Sequence, residues 1–349
     1  MADSDSDSVP SDIEAAAQSA LSTVIPQKSK ALYDLAYEKF EKWLEEKKIK
    51  HINEKVLLAY FEGRKTQKAS TLWTLYSMLR SELSLKKNID ITKYTSLYAF
   101  LKRQSEGYHA KKSNIFSKKN VHQFITEAED RTFLMAKVAL IIGIGGACRK
   151  AELTFLRVGD VSDEDSHFVV KIPNTKTKVT REFVITEGNI EGQNFLDLIR
   201  KYIALRPRNV KHDRFFVKYT NGTCGVQPVG INTVGSLPKA IAQFLKLPNP
   251  ALFTGHCFRR SSATLLADSG ADILKLKQHG GWKSSTVAEG YVEHSIENKK
   301  RIATDILGES SSSTSSVMHH EIQSTSMNSK SAGVNLTNCS HCVINIYNA

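Results

Sequence analysis

The sequence predicts a mainly α protein with a small β-sheet: a helical domain followed by an α+β domain. Three observations carry this reading. Apolar residues recur at helical spacing over most of residues 28–107 and again beyond residue 121. Strict alternation is concentrated in one stretch, HFVVKIPNTKTKVTREFVIT. Polar, low-aromatic segments mark the middle and both ends. At 349 residues, two domains plus tails are expected.

Residues 1–27, opening MADSDSDS, cannot bury enough apolar surface to offset ordering entropy and read as a disordered acidic tail. Residues 28–107 read as four helices. The first places Leu32, Ala36, Phe40 and Trp43 on one face. NEKVLLAYFEG is the second, ending at Gly63. The third carries the stripe Leu72, Leu75, Leu79, with Ser70-Thr71 as its cap. A short helix from Ser96 to Arg103 closes the set. Lys47, Lys48, Lys50 and the loop RKTQK add positive charge, the ordinary solvated face of a bundle unless a polyanion binds there.

Residues 108–120 read as the linker. Its lysine pairs, Lys111-Lys112 and Lys118-Lys119, suit a segment tracking a phosphate backbone, although a plain hydrophilic linker has the same composition. They also form a short basic address of the nuclear type. The second domain spans residues 121–308. FLMAKVALIIGIGGA is a buried helix running into a glycine-rich turn. Strands follow at His167–Ile172 and Arg181–Ile185, joined by a polar turn with Lys176 and Lys178. Most of the stretch from Gly188 to Phe253 reads as helical, with one short strand, Arg214 to Tyr219, and Pro238 near the start of a later helix. IENKKRIATDIL is a short amphipathic helix with Ile302 and Ile306 on one face. Residues 309–349 are Ser-rich and read as a disordered tail. Cys339, His341 and Cys342 lack the second half of a zinc site.

The net charge of +12 and a pI near 9.3 favour a polyanionic partner, and nucleic acid over membrane. The longest apolar run, Val138 to Cys148, is too short for a bilayer. No leader pattern is visible, and five scattered cysteines point to a reducing compartment. No metal cluster, phosphate-binding loop or dinucleotide motif is visible, so no cofactor and no small-molecule substrate are expected.

The chemistry concentrates in two blocks. In FTGHCFRRSSATLLADSG, His256 and Arg259 fall at i and i+3 and project from one helical face. A guanidinium fork and a titratable imidazole suit a phosphate that must exchange a proton. Gly280-Gly281-Trp282 follows, and Tyr291 lies nine residues after Trp282. Upstream, in GIGGACRKAEL, Arg149 follows a glycine-rich break that permits close backbone approach. Glu152 is expected to buttress the arginines rather than touch substrate.

The order Arg149-x-x-Glu152-Leu153, His256-x-x-Arg259, Gly281-Trp282 and Tyr291 resembles the tyrosine recombinases, or phage integrase family. The wording HGGWKSSTVAEGYVEHS looks most like the Crypton transposon branch. The resemblance covers roughly residues 117–307 and is strong in the two motif blocks. It implies a helical domain clamping double-stranded DNA, a tetramer on DNA with an exchanged C-terminal element, and strand exchange without metal or ATP; the helix IENKKRIATDIL is either that element or one that folds back on its own domain. It also implies a catalytic lysine in the β-hairpin, donating a proton to the leaving 5′ oxygen; Lys176 is the first choice and Lys178 the second.

The roles follow. Arg149 and Arg259 neutralise a scissile phosphate, and His256 moves a proton. Trp282 offers an indole N–H and packs the site. Tyr291 attacks phosphorus, and the resemblance implies a 3′-phosphotyrosine and a free 5′-hydroxyl. Two departures stand out: Arg260 follows Arg259 where histidine or lysine is frequent, and Gly-Gly-Trp replaces Leu-Gly-His. His279 has the wrong spacing to Tyr291 and is expected outside the reaction. Two other classes share these features: a non-cutting DNA-binding protein on the same scaffold, and a type IB topoisomerase-like enzyme. The expected enzyme is a site-specific recombinase or integrase in the nucleus.

Overall fold

The computed structural model describes residues 10–108, 111–173, 180–188, 190 and 192–307. The chain divides into two compact units, Met1–Ser113 and Asn114–Ala349.

The first unit is helical: α1 (Ser11–Ser22), α2 (Gln27–Glu46), α3 (Glu54–Glu62), α4 (Ala69–Lys87) and α5 (Thr95–Gln104). Helix α1 is a correction, since an unstructured leader was expected to residue 27; Pro26 breaks the chain before α2. The buried face of α2 is Ala36, Tyr37, Phe40 and Leu44, whereas Leu32 is exposed. Phe40 and Trp43 both meet Tyr60 edge-on, at 4.7 and 5.0 Å between ring centroids. Asn53 caps α3 through a 3.1 Å bond from Val56 N–H. Glu54, in the first turn of that helix, accepts from the N–H groups of Ser96 and Leu97 and so caps α5. Helix α4 starts directly after Lys68 without a side-chain cap, so Ser70 and Thr71 lie inside it. Part of the loop charge is internal: Arg64 sits 3.5 Å above the Tyr60 ring, and Lys65 pairs with Glu62.

The second unit comprises α6 (Lys118–Glu127), α7 (Asp130–Gly145), α8 (Lys150–Phe155), β1 (Val161–Asp163), β2 (Phe168–Ile172), β3 (Arg181–Ile185), α9 (Phe195–Ala204), β4 (Val217–Thr220), β5 (Thr223–Pro228), α10 (Ile231–Phe244), α11 (Cys257–Asp268), α12 (Ile273–Gly280), α13 (Ser285–His294) and α14 (Ile296–Leu307). Lys118 and Lys119 lie in the first turn of α6, not in a linker. The reason is local: Ser117 and Asn120 form a capping box, and buried Phe116 stacks on Phe253 at 5.0 Å.

Helix α7 is the central post, with Leu134 and every residue from Ala136 to Gly143 buried. Its one buried cation, Lys137, is neutralised by Asp130 at 2.9 Å. Gly143 admits the Phe258 ring, which a Cβ would meet at 2.7 Å, so α7 and α11 approach closely. The first sheet is antiparallel in the order β1-β2-β3, with Phe168 opposite Ile185 and Ile172 opposite Arg181. The second hairpin, β4-β5, was read only as one strand in helical surroundings. Strand β5 is exposed at five of its six positions, so it carries no alternation to read. Pro238 lies in the interior of α10, which begins at Ile231 rather than just before the proline.

Helices α12 and α13 pack on α11 through Ala267, Leu276 and Ala288. Helix α14 lies against the end of α11: Arg301 donates to the carbonyls of Asp268 and Ala267, and Ser295 Oγ donates to Asp268. Its Ile302 and Ile306 remain exposed. Among the described residues no helix is long and apolar enough to cross a membrane. The expected tail at 309–349, with Cys339, His341 and Cys342, lies outside the described residues.

Candidate active site

Four pieces of chain converge: the turn after α7, the start of α11, the end of α12, and α13. The turn Gly146–Ala147 is tight. Ala147 adopts φ 46°, and the Phe183 ring lies 2.1 Å from where a Cβ on Gly146 would stand. This turn delivers Arg149 to the position immediately before α8.

Glu152, on α8, is a buried carboxylate shared between two arginines. Its Oε1 accepts from Arg149 Nη1 at 2.5 Å, and its Oε2 accepts from Arg181 Nη2 at 2.8 Å and from the Arg149 backbone N–H at 2.9 Å. Glu152 supports Arg149 as expected, but its second partner is Arg181 rather than Arg259, which bonds backbone carbonyls. Arg149 itself stays partly exposed, whereas Arg181 is buried.

Arg181 and Arg259 hold the same two turns together. Arg181 Nη1 donates to the carbonyls of Gly146 and His279, at 2.7 and 2.9 Å. Arg259 donates to the next carbonyl along each turn, Ala147 and Gly280, both at 2.7 Å. The Gly-Gly-Trp motif now has a steric explanation. Gly281 takes φ 61°, and a Cβ there would meet Arg181 Cδ at 2.4 Å. A Cβ on Gly280 would meet the Trp282 ring at 2.4 Å.

Arg259, Trp282 and Tyr291 form a stack. The Arg259 guanidinium lies 4.7 Å from the Trp282 ring centroid. The Trp282 and Tyr291 rings stack at 5.2 Å with 29° between planes. Tyr291 is half-buried on α13. Burial, then the nearby Arg149, pulls the Arg259 pKa down to about 10, and it stays charged at neutral pH.

His256 stands just before the first residue of α11 and is open to solvent. Partial burial of its imidazole, then Lys150, Arg259, Arg149 and Arg260, hold its pKa below the ordinary histidine value. The ring is therefore mainly neutral at neutral pH and can accept a proton. Cys148 and Cys257 flank the site in sequence, but burial pushes both thiols up to about 12, so neither is a ready nucleophile. His279 faces away into the protein: its Nε2 bonds Ser262 Oγ at 2.6 Å, and burial, then Arg181 and Arg259, bring its pKa down to about 4.

Arg149, His256, Arg259, Trp282 and Tyr291 thus lie in one neighbourhood of concentrated positive charge, with a stacked phenol at its edge. Lys176 and Lys178 lie outside the described residues, between β2 and β3 in the sequence. Lys111 and Lys112 are exposed at the end of the first unit, and Lys118 and Lys119 are exposed on α6. Sequence reasoning passed over Arg181. Its signal was readable: it shares a strand face with Phe183 and Ile185, and a charged residue on an inward face needs buried partners. Among the described residues no group of three His, Cys, Asp or Glu side chains is placed to hold a metal.

The helical architecture with small antiparallel sheets is that of site-specific recombinases. The structure is similar to XerH site-specific recombinase bound to palindromic difH substrate, with a TM-score of 0.54 at 16% identity, covering 78% of each chain. It is similar to a lambda integrase dimer bound to a COC′ core site, with a TM-score of 0.54 at 16% identity, covering 80% of this chain and 93% of the other. It is also similar to the Tn1549 transposon integrase in complex with transposon right end DNA, with a TM-score of 0.53 at 17% identity, covering 82% and 95%. No curated protein sequence matches the chain. The sequence profile of the phage integrase family matches residues 114–298, more than half of the chain, and the protein belongs to that family, the tyrosine recombinases.

Proposed function

We propose that the protein is a site-specific DNA recombinase or integrase that cuts and rejoins double-stranded DNA through a 3′-phosphotyrosine intermediate. The observation that carries this is the Arg259–Trp282–Tyr291 stack beside Arg149 and His256. It sets a phenol next to a buried guanidinium that keeps its charge.

In this reading the scissile phosphate rests on Arg149 and Arg259, which stabilise charge building on its non-bridging oxygens. Tyr291 Oη attacks phosphorus, and neutral His256 takes up the phenolic proton. The bond to the 5′ oxygen breaks, and Lys176 supplies the proton that the leaving oxygen needs, with Lys178 as the alternative donor. Trp282 orients a phosphate oxygen through its indole N–H and holds the tyrosine ring. A 5′-hydroxyl from a second strand reverses the step. The phosphotyrosine link conserves the bond energy, so no ATP is required, and Arg149 and Arg259 take the charge-neutralising role that a metal would otherwise fill.

Lys111, Lys112, Lys118, Lys119 and Lys178 contact the DNA backbone, and residues 28–107 clamp the duplex. The exposed Ile302 and Ile306 of α14 support a homotetramer in which this helix reaches a neighbouring copy. The motif wording supports an origin in a Crypton-type transposon and action in the nucleus.

The test is covalent trapping on nicked duplex DNA, with Tyr291→Phe alongside. An adduct that survives denaturation and vanishes in the variant is expected. No adduct on DNA that the protein binds would identify a non-cutting DNA-binding protein. Adduct formation by a protein that remains monomeric on DNA would identify a topoisomerase-like enzyme.

A further inference from the structure

We propose that Lys150 is a further substrate-contacting residue of this site, placing its ammonium group on a DNA phosphate beside His256. The proposal rests on the cleavage reading above and adds a contact to it.

Lys150 is the first residue of α8, directly after Arg149. A lysine there would ordinarily sweep through solvent. Here its stem lies in a notch with glycine on both walls. A Cβ on Gly255 would meet Lys150 Cδ at 2.7 Å and Lys150 Cβ at 3.3 Å, and a Cβ on Gly235 of α10 would meet Lys150 Cδ at 3.4 Å. Any larger residue at Gly255 would displace the stem. Gly255 immediately precedes His256, and Lys150 is the foremost charge acting on that imidazole.

The ammonium group has no competing acid. The nearby carboxylate on its own helix, Glu152, is taken by Arg149 and Arg181, and among the described residues no ion pair holds Lys150. Lys150 is exposed. A cation whose stem is packed while its head stays open to water beside a cluster of arginines is suited to an incoming anion. The imidazole of His256 is faced by Lys150 from α8, by Arg149 before it, and by Arg259 and Arg260 from α11. This concentration of cations around one histidine suits a polyanion, and a DNA strand supplies one.

The experiment uses the full chain and the duplex on which the wild type forms its adduct. Lys150→Met keeps the packed stem and removes the charge; Lys150→Arg keeps the charge. DNA affinity and adduct formation are followed against salt and pH. In Lys150→Met the slope of log affinity against log salt is expected to shrink by about 0.9, the value for one phosphate contact. Adduct formation should fall on the order of tenfold, in line with loss of a bond to a charged group. The acid limb of the pH profile should move to higher pH, because removing a cation lets His256 protonate more readily. Lys150→Arg should restore the slope. An unchanged slope and rate in Lys150→Met overturns the proposal, and so does a slower rate with an unchanged slope, which assigns the Lys150 charge to His256 rather than to a phosphate. If the wild type binds DNA but forms no adduct, the cleavage reading fails, while the slope still decides whether Lys150 touches a phosphate.

Discussion

Glu152 and Arg181 are joined by a 2.8 Å hydrogen bond between buried groups 29 residues apart in sequence. The same carboxylate holds Arg149, so one acid fixes one exposed and one buried arginine. Glu152→Gln should therefore lower stability by about 3 kcal/mol, because breaking a buried pair leaves an uncompensated charge. The thermal midpoint of the second unit should drop, and adduct formation should fall with it as Arg149 loses its support. A variant that melts like the wild type would show that Arg181 is satisfied without this acid.

Gly281→Ala introduces two faults at once: a left-handed backbone angle and a collision with Arg181 Cδ. A loss of roughly 1–3 kcal/mol is expected in chemical denaturation. Gly290→Ala is the counterpart. It lies within α13, and its added Cβ meets nothing within 4 Å. It should stabilise the helix by up to about 1 kcal/mol. Equal effects from the two substitutions would contradict the steric account of the Gly-Gly-Trp motif.

Trp282→Ala removes the ring that both Arg259 and Tyr291 contact. Aromatic stacking contributes about 0.5–1.5 kcal/mol and a partly desolvated cation–π contact a similar amount. A combined loss near 2 kcal/mol is expected, with adduct formation slowed more than DNA binding. Trp282→Phe keeps a ring and should recover most of the stability, while lacking the indole donor. Matching adduct rates for the two variants would mean that the ring itself does not position Tyr291.

His279 sets a pH dependence of stability. Its folded pKa of about 4 lies below the ordinary value of 6.5, so the unfolded chain binds the proton more readily. Stability from this group is full above pH 6.5 and declines as pH falls toward 4, by up to about 3 kcal/mol. His279→Gln should flatten that part of a stability–pH curve. An unaltered curve in the variant would move the effect to other groups.

The residue types of the site were legible in the sequence. His256 and Arg259 stand out because an i, i+3 spacing is local, whereas Arg149, Trp282 and Tyr291 stand out through the motif order that the family resemblance marks. The central α7, strands β2 and β3, and the amphipathic α14 were legible because their patterns are local too. Strand β5 escaped because it buries no face. Helix α1 escaped because its composition is polar, alanine-rich and without aromatics.

The order of these side chains, and the family it marks, are properties of the sequence alone. Which cation faces outward and which is spent inside was decided only by the tertiary structure. Arg259 reaches Ala147 across 112 residues, and Arg181 reaches His279 across 98. No periodicity encodes such bonds. They exist because α7, α11 and α12 bring two turns together and leave backbone carbonyls that need donors. The same packing sets two glycines around the stem of Lys150.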